Sequence, residues 1–590
     1  MTAILKWVLT PPPEPERVQP EEVIYRLKDR PPVKVLLAVA GQHSLLVLML
    51  MVYALLAAAA LGLGYAETIS YVSSSLLILG IGTVLQGLRS RFTPGVPLVS
   101  ILSPVPLATY VTIVSLHGLG AAMGAVIAAN LILMLLVPYL PRLRAYFPPE
   151  VIGVVILLLG MELVSSGVSR SVGLNEGTGV SGAQALVAIG TLVGIIAASV
   201  WGSMRFRIMA VLIGTVIGSL LSLWLGLFDF QALERLEGQP LLALPWQNIS
   251  LPMPEFVPMA ILPYLIVELF GAMDQVAVSL TIDKLNHKKW RRADMNLVSR
   301  SVMTNCFQNM LLGAAGLISG GASSAHVGLA HASGVMSRYV SLMTGAIMML
   351  LAFIPAIATL VVLTPEPVVG GILVYTAAFL IVSGMQLIFS RMLDMKRSFT
   401  VGLSIVVGLS LLILPRITEQ APEWSETIVG SALMVGSLCA IGLNLLFRIG
   451  IKKTASRELE NDHPGAEIAE FLEHHGKIWG AREEVIRRAG LAIGEAMETL
   501  QGAELIEGPV TLTVRFDEVD VVCALSYEGR KLDLGQGGQV DLDALLEDED
   551  DSALDAGMMQ VSSMMITRLA DRVRAFERKG RANLVLQFEH

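Results

Sequence analysis

The stretch SGGASSAHVGLAHASGVMSR, residues 319–338, lies in an apolar region yet is made of Gly, Ala and Ser around two imidazoles, His326 and His331. A second apolar stretch, PGVPLVSILSPVPLATY at 94–110, is interrupted by Pro94, Pro97, Pro104 and Pro106. Interior prolines break helices and clustered glycines weaken them. Both stretches therefore read as membrane-deep segments that are not plain helices.

The surrounding sequence supports that reading. Of 590 residues, 54% are hydrophobic and 16% charged, with a mean hydropathy of +0.65; soluble domains carry about 25% charged residues. The composition excludes an ordinary soluble enzyme and predicts a polytopic α-helical membrane protein. Charge is concentrated in residues 1–34 and 448–590, and the net charge of -8 comes largely from the acidic C-terminal part, giving no reason to expect a nucleic-acid partner. Cys306, Cys439 and Cys523 have no metal-ligand spacing, so neither a metal site nor a disulfide framework is expected. The Pro-rich N-terminus (PPPEPERVQPEE) lacks the pattern of a cleaved signal peptide.

Apolar runs near the roughly 20 residues needed to cross hydrocarbon fall at 34–62, 67–87, 117–138, 149–168, 183–201, 207–228, 255–281, 297–317, 340–363, 368–390, 398–415 and 425–448. With the broken segments near 95–112 and 319–335 the count is fourteen. The broken segments come third and tenth, the same place in two halves of seven, which predicts an inverted repeat with its site at the midplane. Lys and Arg collect in cytoplasmic loops. With the N-terminus inside, fifteen of them (Arg89, Arg91, Arg142, Arg144, Arg205, Arg207, Lys284, Lys288, Lys289, Arg291, Arg292, Arg338, Arg391, Lys396, Arg397) fall on inside loops and three (Arg170, Arg235, Arg416) outside. Both termini are thus predicted to be cytoplasmic; the expected location is a bacterial inner membrane.

Ionisable groups at a helix centre in hydrocarbon cost about 2.5–3.5 kcal/mol or more, which makes them candidate functional residues. The candidates are Gln42 and His43 in span 1, Glu268, Asp274 and Gln275 in span 8, and His326 and His331 in segment 10. Gln42, His43 and His331 serve equally well as helix-to-helix hydrogen-bonding groups. Asp274 has no basic residue near it in its span and carries the stronger functional expectation, as ligand and proton-coupling group with His43 and Glu268. Glu268 precedes it by six residues, about 120° around a helix, so the two do not face one pocket squarely. A buried carboxylate exchanges a proton for a conformational change or a substrate hydrogen bond, and a histidine shares it near neutrality. Irregular backbone at membrane depth lines a cavity, suited to a small, flat, hydrogen-bonding or anionic solute.

At these residues the chain resembles the nucleobase-ascorbate transporters, or nucleobase-cation symporter 2 family, which includes the uracil and xanthine permeases. The resemblance covers about residues 30–450 and rests on Gly41-Gln42-His43, Ile101-Leu102-Ser103-Pro104, FPPEVIG at 147–153 and the opening stretch. The segment 10 signature is Gln, Glu or Pro, then Asn, any residue, Gly, four of any kind, and Thr. Here it reads Ala325, His326, Val327, Gly328, Leu329 to Ala332, and Ser333. In the family the first of these positions and a span 8 glutamate hold the nucleobase; spacing puts Asp274 at the latter position, and the Glu-x-x-Gly pattern puts Glu268 there.

The resemblance implies a core domain (spans 1–4 and 8–11), a gate domain (spans 5–7 and 12–14), a site between two short strands that brings in Ser100, a homodimer, and proton or sodium coupling. It implies no enzyme activity or bound cofactor, and a xanthine-, uracil- or uric acid-like substrate. A small anion, or a nutrient-sensing role with little flux, are the alternatives.

The expected domain order is a tail (1–33), the transporter (34–450), a linker (451–464) and a cytoplasmic α+β domain (465–590). In the last, WGAREEVIRRAGLAIGEAMETL and SSMMITRLADRVRAFERKG read as helices, and TLTVRF, VVCALSYEG and NLVLQFEH as strands. It resembles a degenerate GHKL ATPase domain of anti-sigma type. Thr499 ends the Glu495–Thr499 box where the family has Asn, Tyr527-Glu528-Gly529 replaces the adenine turn, and the Gly535-Gln536-Gly537-Gly538 run reads as a loop, so ATP binding is not expected. The acidic run at 541–555 reads as a solvated loop.

Overall fold

The computed structural model describes residues 18–139, 148–174, 179–203, 206–207, 209–228, 240–288, 294–390, 392–414, 429, 432–448, 454–459, 464–516, 520–532, 562–578 and 580–589. Phe147, the Gly535–Gly538 run, the acidic run at 541–555 and Arg142, Arg144, Arg205, Arg235, Lys289, Arg291, Arg292, Arg391 and Arg416 lie outside them.

The apolar runs form helices α1 (Val33–Leu50), α2 (Val52–Ala60), α3 (Tyr65–Gly87), α4 (Leu107–Leu136), α5 (Pro149–Val172), α6 (Gly182–Val200), α7 (Ala210–Trp224), α8 (Pro258–Leu285), α9 (Met295–Ala314), α10 (Ser324–Ser333), α11 (Tyr339–Ala352), α12 (Pro355–Val362), α13 (Glu366–Ile388), α14 (Met395–Ile413) and α15 (Ala432–Arg448). Eight described helical stretches are long and apolar enough to cross a membrane, or nine if the bent pair α11–α12 is one span. The run expected at 340–363 as one span bends by 87° between α11 and α12. Pro355, which has no N–H to donate and a ring that clashes with the preceding turn, opens α12 and accounts for the break.

The two broken stretches meet. Ser100–Leu102 (β1) pairs antiparallel with Gly320–Ala322 (β2), Ser100 opposite Ala322, Ile101 opposite Gly321 and Leu102 opposite Gly320. Each strand satisfies at membrane depth backbone groups that lipid would leave unpaired. Before β1 the Pro-rich backbone turns; after it α4 runs on, with one non-helical residue at Gly118, φ 84.

Close packing at small residues sorts the helices into two groups. In the first, α1–α4 and α8–α12 pack together, with α1, α3, α8 and α9 against the strand pair; Gly80 of α3 and Gly345 of α11 press on each other's carbonyls, so a Cβ at either would come within 3.0 Å of backbone. In the second, α5 packs on α13 through Gly160 against Ala377 and Gly384 against Gly153, and on α14 and α15 through Leu158 against Gly408 and Gly436. Small residues permit this approach where lipid supplies no hydrophobic drive.

Residues 387–401 and 442–590 make a separate compact unit. Its sheet has the order β3-β4-β5-β7-β6, all neighbours antiparallel: β3 (Thr454–Leu459), β4 (Val510–Phe516), β5 (Asp520–Tyr527), β6 (Arg572–Arg578) and β7 (Arg581–Glu589). One face, including Leu512, Val514, Cys523, Leu525, Leu584 and Leu586, is buried in strict alternation. Helices α16 (Pro464–Trp479) and α17 (Glu483–Gly502) contribute Ile468, Leu472, Ile486, Ile493 and Met497 to the same core.

Three sequence readings change here. The stretch 451–464 contains strand β3, so it is not merely a linker. The helix read as starting at Trp479 starts at Glu483, and Trp479 closes the helix before it, because Gly480 sits at φ +64, a conformation that ends helices. The run RVRAFER, read as helix, is edge strand β6, with Val573 and Ala575 half-buried between exposed arginines; the short helix stops at 569. Charged edges of this kind resist pairing with another chain. At Gly480 a side chain would overlap the Arg397 guanidinium, which donates to the Trp479 carbonyl (2.8 Å) and to Met392 (3.2 Å).

Candidate functional site

The site is built around β2. Its first amide, Gly320 N–H, donates to Asn309 Oδ1 at 2.9 Å, and Asn309 Nδ2 donates to Glu268 Oε2 at 3.2 Å. Its last, Ala322 N–H, donates to Gln275 Oε1 at 2.8 Å. Glu268 and Gln275 are seven residues apart, about two helical turns, so one face of α8 holds both ends of the strand. Gln275 Nε2 in turn donates to Ser301 Oγ (2.8 Å), which donates to Gln86 Oε1 (3.1 Å).

Two of the candidates, Gln275 and Glu268, stand in these contacts. Gln275, expected to bind substrate, has its amide engaged on both sides by the scaffold and positions β2. Glu268 is buried, with Tyr264, Ser319, Asn130 and Asn309 around its carboxyl, and it does not share the face of Asp274. Asp274 lies about 100° from Gln275 around α8, and its side chain is exposed. It makes no hydrogen bond or ion pair with another described residue.

A rule of position emerges on three elements. His43 on α1, Gln275 on α8 and His326 on α10 are buried anchors, and the residue before each, Gln42, Asp274 and Ala325, is open. His43 and His326 face one another, Nδ1 to Nδ1 at 2.8 Å, with rings stacked 5.1 Å apart. Along α10 the open side continues from Ala325 to Gly328, where an added Cβ would meet nothing within 4 Å. Ser100 in β1 donates its N–H to Thr83 Oγ1 (3.0 Å), while its buried Oγ has no partner among the described residues. Ser333, the last motif position, bonds Ala330 O and closes α10.

His331 points elsewhere. Its Nε2 lies 3.4 Å from Glu22 Oε2, on a segment that straps the end of α10: the Ile24 and Tyr25 amides donate to Gly334 O, Met336 N–H to Tyr25 O, and Ser337 Oγ to Asp29 O. The many backbone bonds carry this contact, and exposed ion pairs contribute only about 0.2–1 kcal/mol. Glu22→Gln is accordingly expected to shift stability by less than about 1 kcal/mol, checked by thermal unfolding; a larger loss would mean the ion pair and not the backbone holds the strap.

Sequence reading missed the polar face of α9 (Asn305, Gln308, Asn309), though its i, i+3, i+4 spacing was visible. It also missed Glu162 on α5, whose Oε2 is buried without a partner among the described residues.

Comparison with known proteins covers this region. The Xan_ur_permease profile, described as "Permease family", matches residues 35–417. The nucleobase transporter PlUacP of Paenibacillus larvae is 28% identical over 397 residues, 66% of this chain and 89% of its own length. The xanthine permease XanP of Escherichia coli K12 is 25% identical over 453 residues, 73% of this chain and 96% of its own. Among solved structures, the transmembrane domain of a cyanobacterium bicarbonate transporter, BicA, aligns over 66% of this chain and 97% of its own with a TM-score of 0.47 and 17% identity. The matched span includes both strands and each side chain that holds them, and with it the chain belongs to the xanthine/uracil permease family.

Proposed function

We propose that this protein is a secondary active transporter, coupled to protons or sodium, of a nucleobase-like planar solute such as xanthine, uracil or uric acid. The observation that carries the reading is the β1–β2 pair, flanked by the open residues Gln42, Asp274 and Ala325. Open hydrogen-bonding groups, a carboxylate and an open stretch of α10 near the strand pair support the reading, since flat heterocycles are recognised by few, well-placed polar groups. The curated relatives are named as nucleobase, uric acid and xanthine permeases, which supports the same substrate class and a transporter rather than an enzyme.

In this reading fourteen segments form an inverted repeat, α1–α4 with α8–α12 as core and α5–α7 with α13–α15 as gate. The protein is a homodimer in a bacterial inner membrane with both termini cytoplasmic. The C-terminal unit is a regulatory module of degenerate ATPase type; Thr499 is buried and its Oγ1 bonds Glu495 O (2.6 Å), which leaves it poorly placed as a metal ligand. A small-anion substrate is the second reading, favoured by Ala325, which offers no polar side chain, and by the N-terminus of α10 beside it.

The test is uptake into proteoliposomes of labelled xanthine, uric acid, uracil and a small carboxylate, under imposed proton or sodium gradients. Gradient-driven accumulation of a nucleobase, reduced at least tenfold by Asp274→Asn, is expected, a loss corresponding to about 1.4 kcal/mol or more. Accumulation indifferent to Asp274→Asn would remove that carboxylate from the mechanism, and accumulation of the carboxylate alone would establish the second reading.

A further inference from the structure

We propose that His43 and His326 form a one-proton relay between α1 and α10, carrying the coupling proton past the substrate cleft. The proposal rests on the transporter reading above. Its basis is geometric. The rings meet Nδ1 to Nδ1 at 2.8 Å, both side chains are fully buried, and both Nε2 atoms are buried without a partner among the described residues.

Two neutral imidazoles hold two ring protons, and only one fits between nitrogens 2.8 Å apart. One ring therefore carries its proton on Nδ1 and has a bare Nε2; the other accepts at Nδ1 and carries its proton on Nε2. A third proton binds the bare Nε2, making an imidazolium whose Nδ1–H donates to the neighbour. Transfer of that bridging proton moves the charge to the second ring, which releases its Nε2 proton. One N–H bond has formed at the entry nitrogen and one has broken at the exit; nothing is oxidised or reduced.

Two properties follow. A fourth proton would set N–H against N–H across the bridge, so the pair stores one charge and no more. Each passage also leaves the tautomers exchanged, so a second proton does not follow in the same direction until the rings reset. A device that passes one proton per reset suits a carrier and resists a leak.

Each ring is the titratable group the other faces. Of the other packed elements, α8 carries Glu268, turned to Asn309, with Tyr264 beside it, Asp274 on the open side, and Asp283 and Lys284 at its C-terminal end, where Asp283 accepts from the Asp294 N–H (3.0 Å). The membrane-embedded lengths of α7 and α11, residues 210–224 and 340–352, carry no titratable side chain, nor does β1. Ala325 precedes His326, so a solute on the open face of α10 lies one residue from the relay.

The test uses the full-length protein in lipid nanodiscs with ¹⁵N-labelled histidine, assigned by His43→Gln and His326→Asn. Asn keeps a hydrogen bond to His43 and cannot carry a proton through. In the wild type the two rings are expected to titrate together and take up one proton between them, and His326→Asn to abolish that shared event. Two independent titrations, or no uptake at any pH where the fold persists, would overturn the relay. In proteoliposomes, His326→Asn is expected to lower pH-gradient-driven accumulation at least tenfold more than it lowers substrate exchange; an unchanged ratio would also overturn it. If the wild type moves no tested solute, the transporter reading fails, and the histidine titration still decides whether the pair relays protons.

Discussion

Gly320→Ala is expected to abolish solute accumulation and destabilise the protein, because the added methyl meets the partner strand's backbone. The added Cβ would sit 2.5 Å from the Ile101 carbonyl oxygen, 3.1 Å from Leu79 and 3.2 Å from Gln308. Ile101 is in the partner strand, fixed by its own pairing with Gly321, so relief requires the strands to part. Overpacking of this kind costs about 1–3 kcal/mol, and the separation would also loosen the Gly320–Asn309–Glu268 chain. Gly328→Ala is the matched control, since a methyl there enters open space. It should leave thermal stability within about 0.5 kcal/mol, as for ordinary surface substitutions, while changing solute affinity. Equal melting temperatures for the two variants would mean that the strand pair tolerates separation.

The second large effect is expected at Gln275→Leu. Leucine has similar volume but leaves the Ala322 N–H without its acceptor and removes one of the two donors to Ser301 Oγ, the other being Ser279 Oγ (2.9 Å). An unsatisfied buried polar group costs about 1–3 kcal/mol, and lipid offers no water to replace the lost partner. Hydrogen exchange at the Ala322 amide should accelerate at least tenfold, and Gln275→Glu, which keeps the acceptor, should protect that amide better than Leu does. Faster exchange throughout α8 with no excess at Ala322 would count against a specific role in holding the strand.

Much of this arrangement was legible in the sequence because it depends on backbone chemistry. Clustered Pro in one segment and clustered Gly in the other announced where helices could not continue, and those places became β1 and β2. The side-chain roles were less legible. Asp274 and Gln275 are adjacent in sequence and about 100° apart around α8, one open and one committed to Ala322; the sequence favoured Asp274 as the functional member but did not show that Gln275 holds the strand. The role of His331 depended on Glu22, about three hundred positions away. In the C-terminal unit, RVRAFER has the alternation of a strand, but its Arg and Glu content also suits a helix, and only pairing with β7 decides between them.

The alternation of anchor and open residue bears on how such a protein could change its diet. The side chains that keep α1, α8 and α10 in place, His43, Gln275 and His326, are not the ones the cleft displays, Gln42, Asp274 and Ala325. Substitution at the open positions leaves the hydrogen bonds of the buried neighbours in place. On the proposed reading, a lineage could exchange the residue at position 325 and acquire a different solute while retaining a folded carrier, so that selection for novelty and selection for integrity act on neighbouring but separate residues.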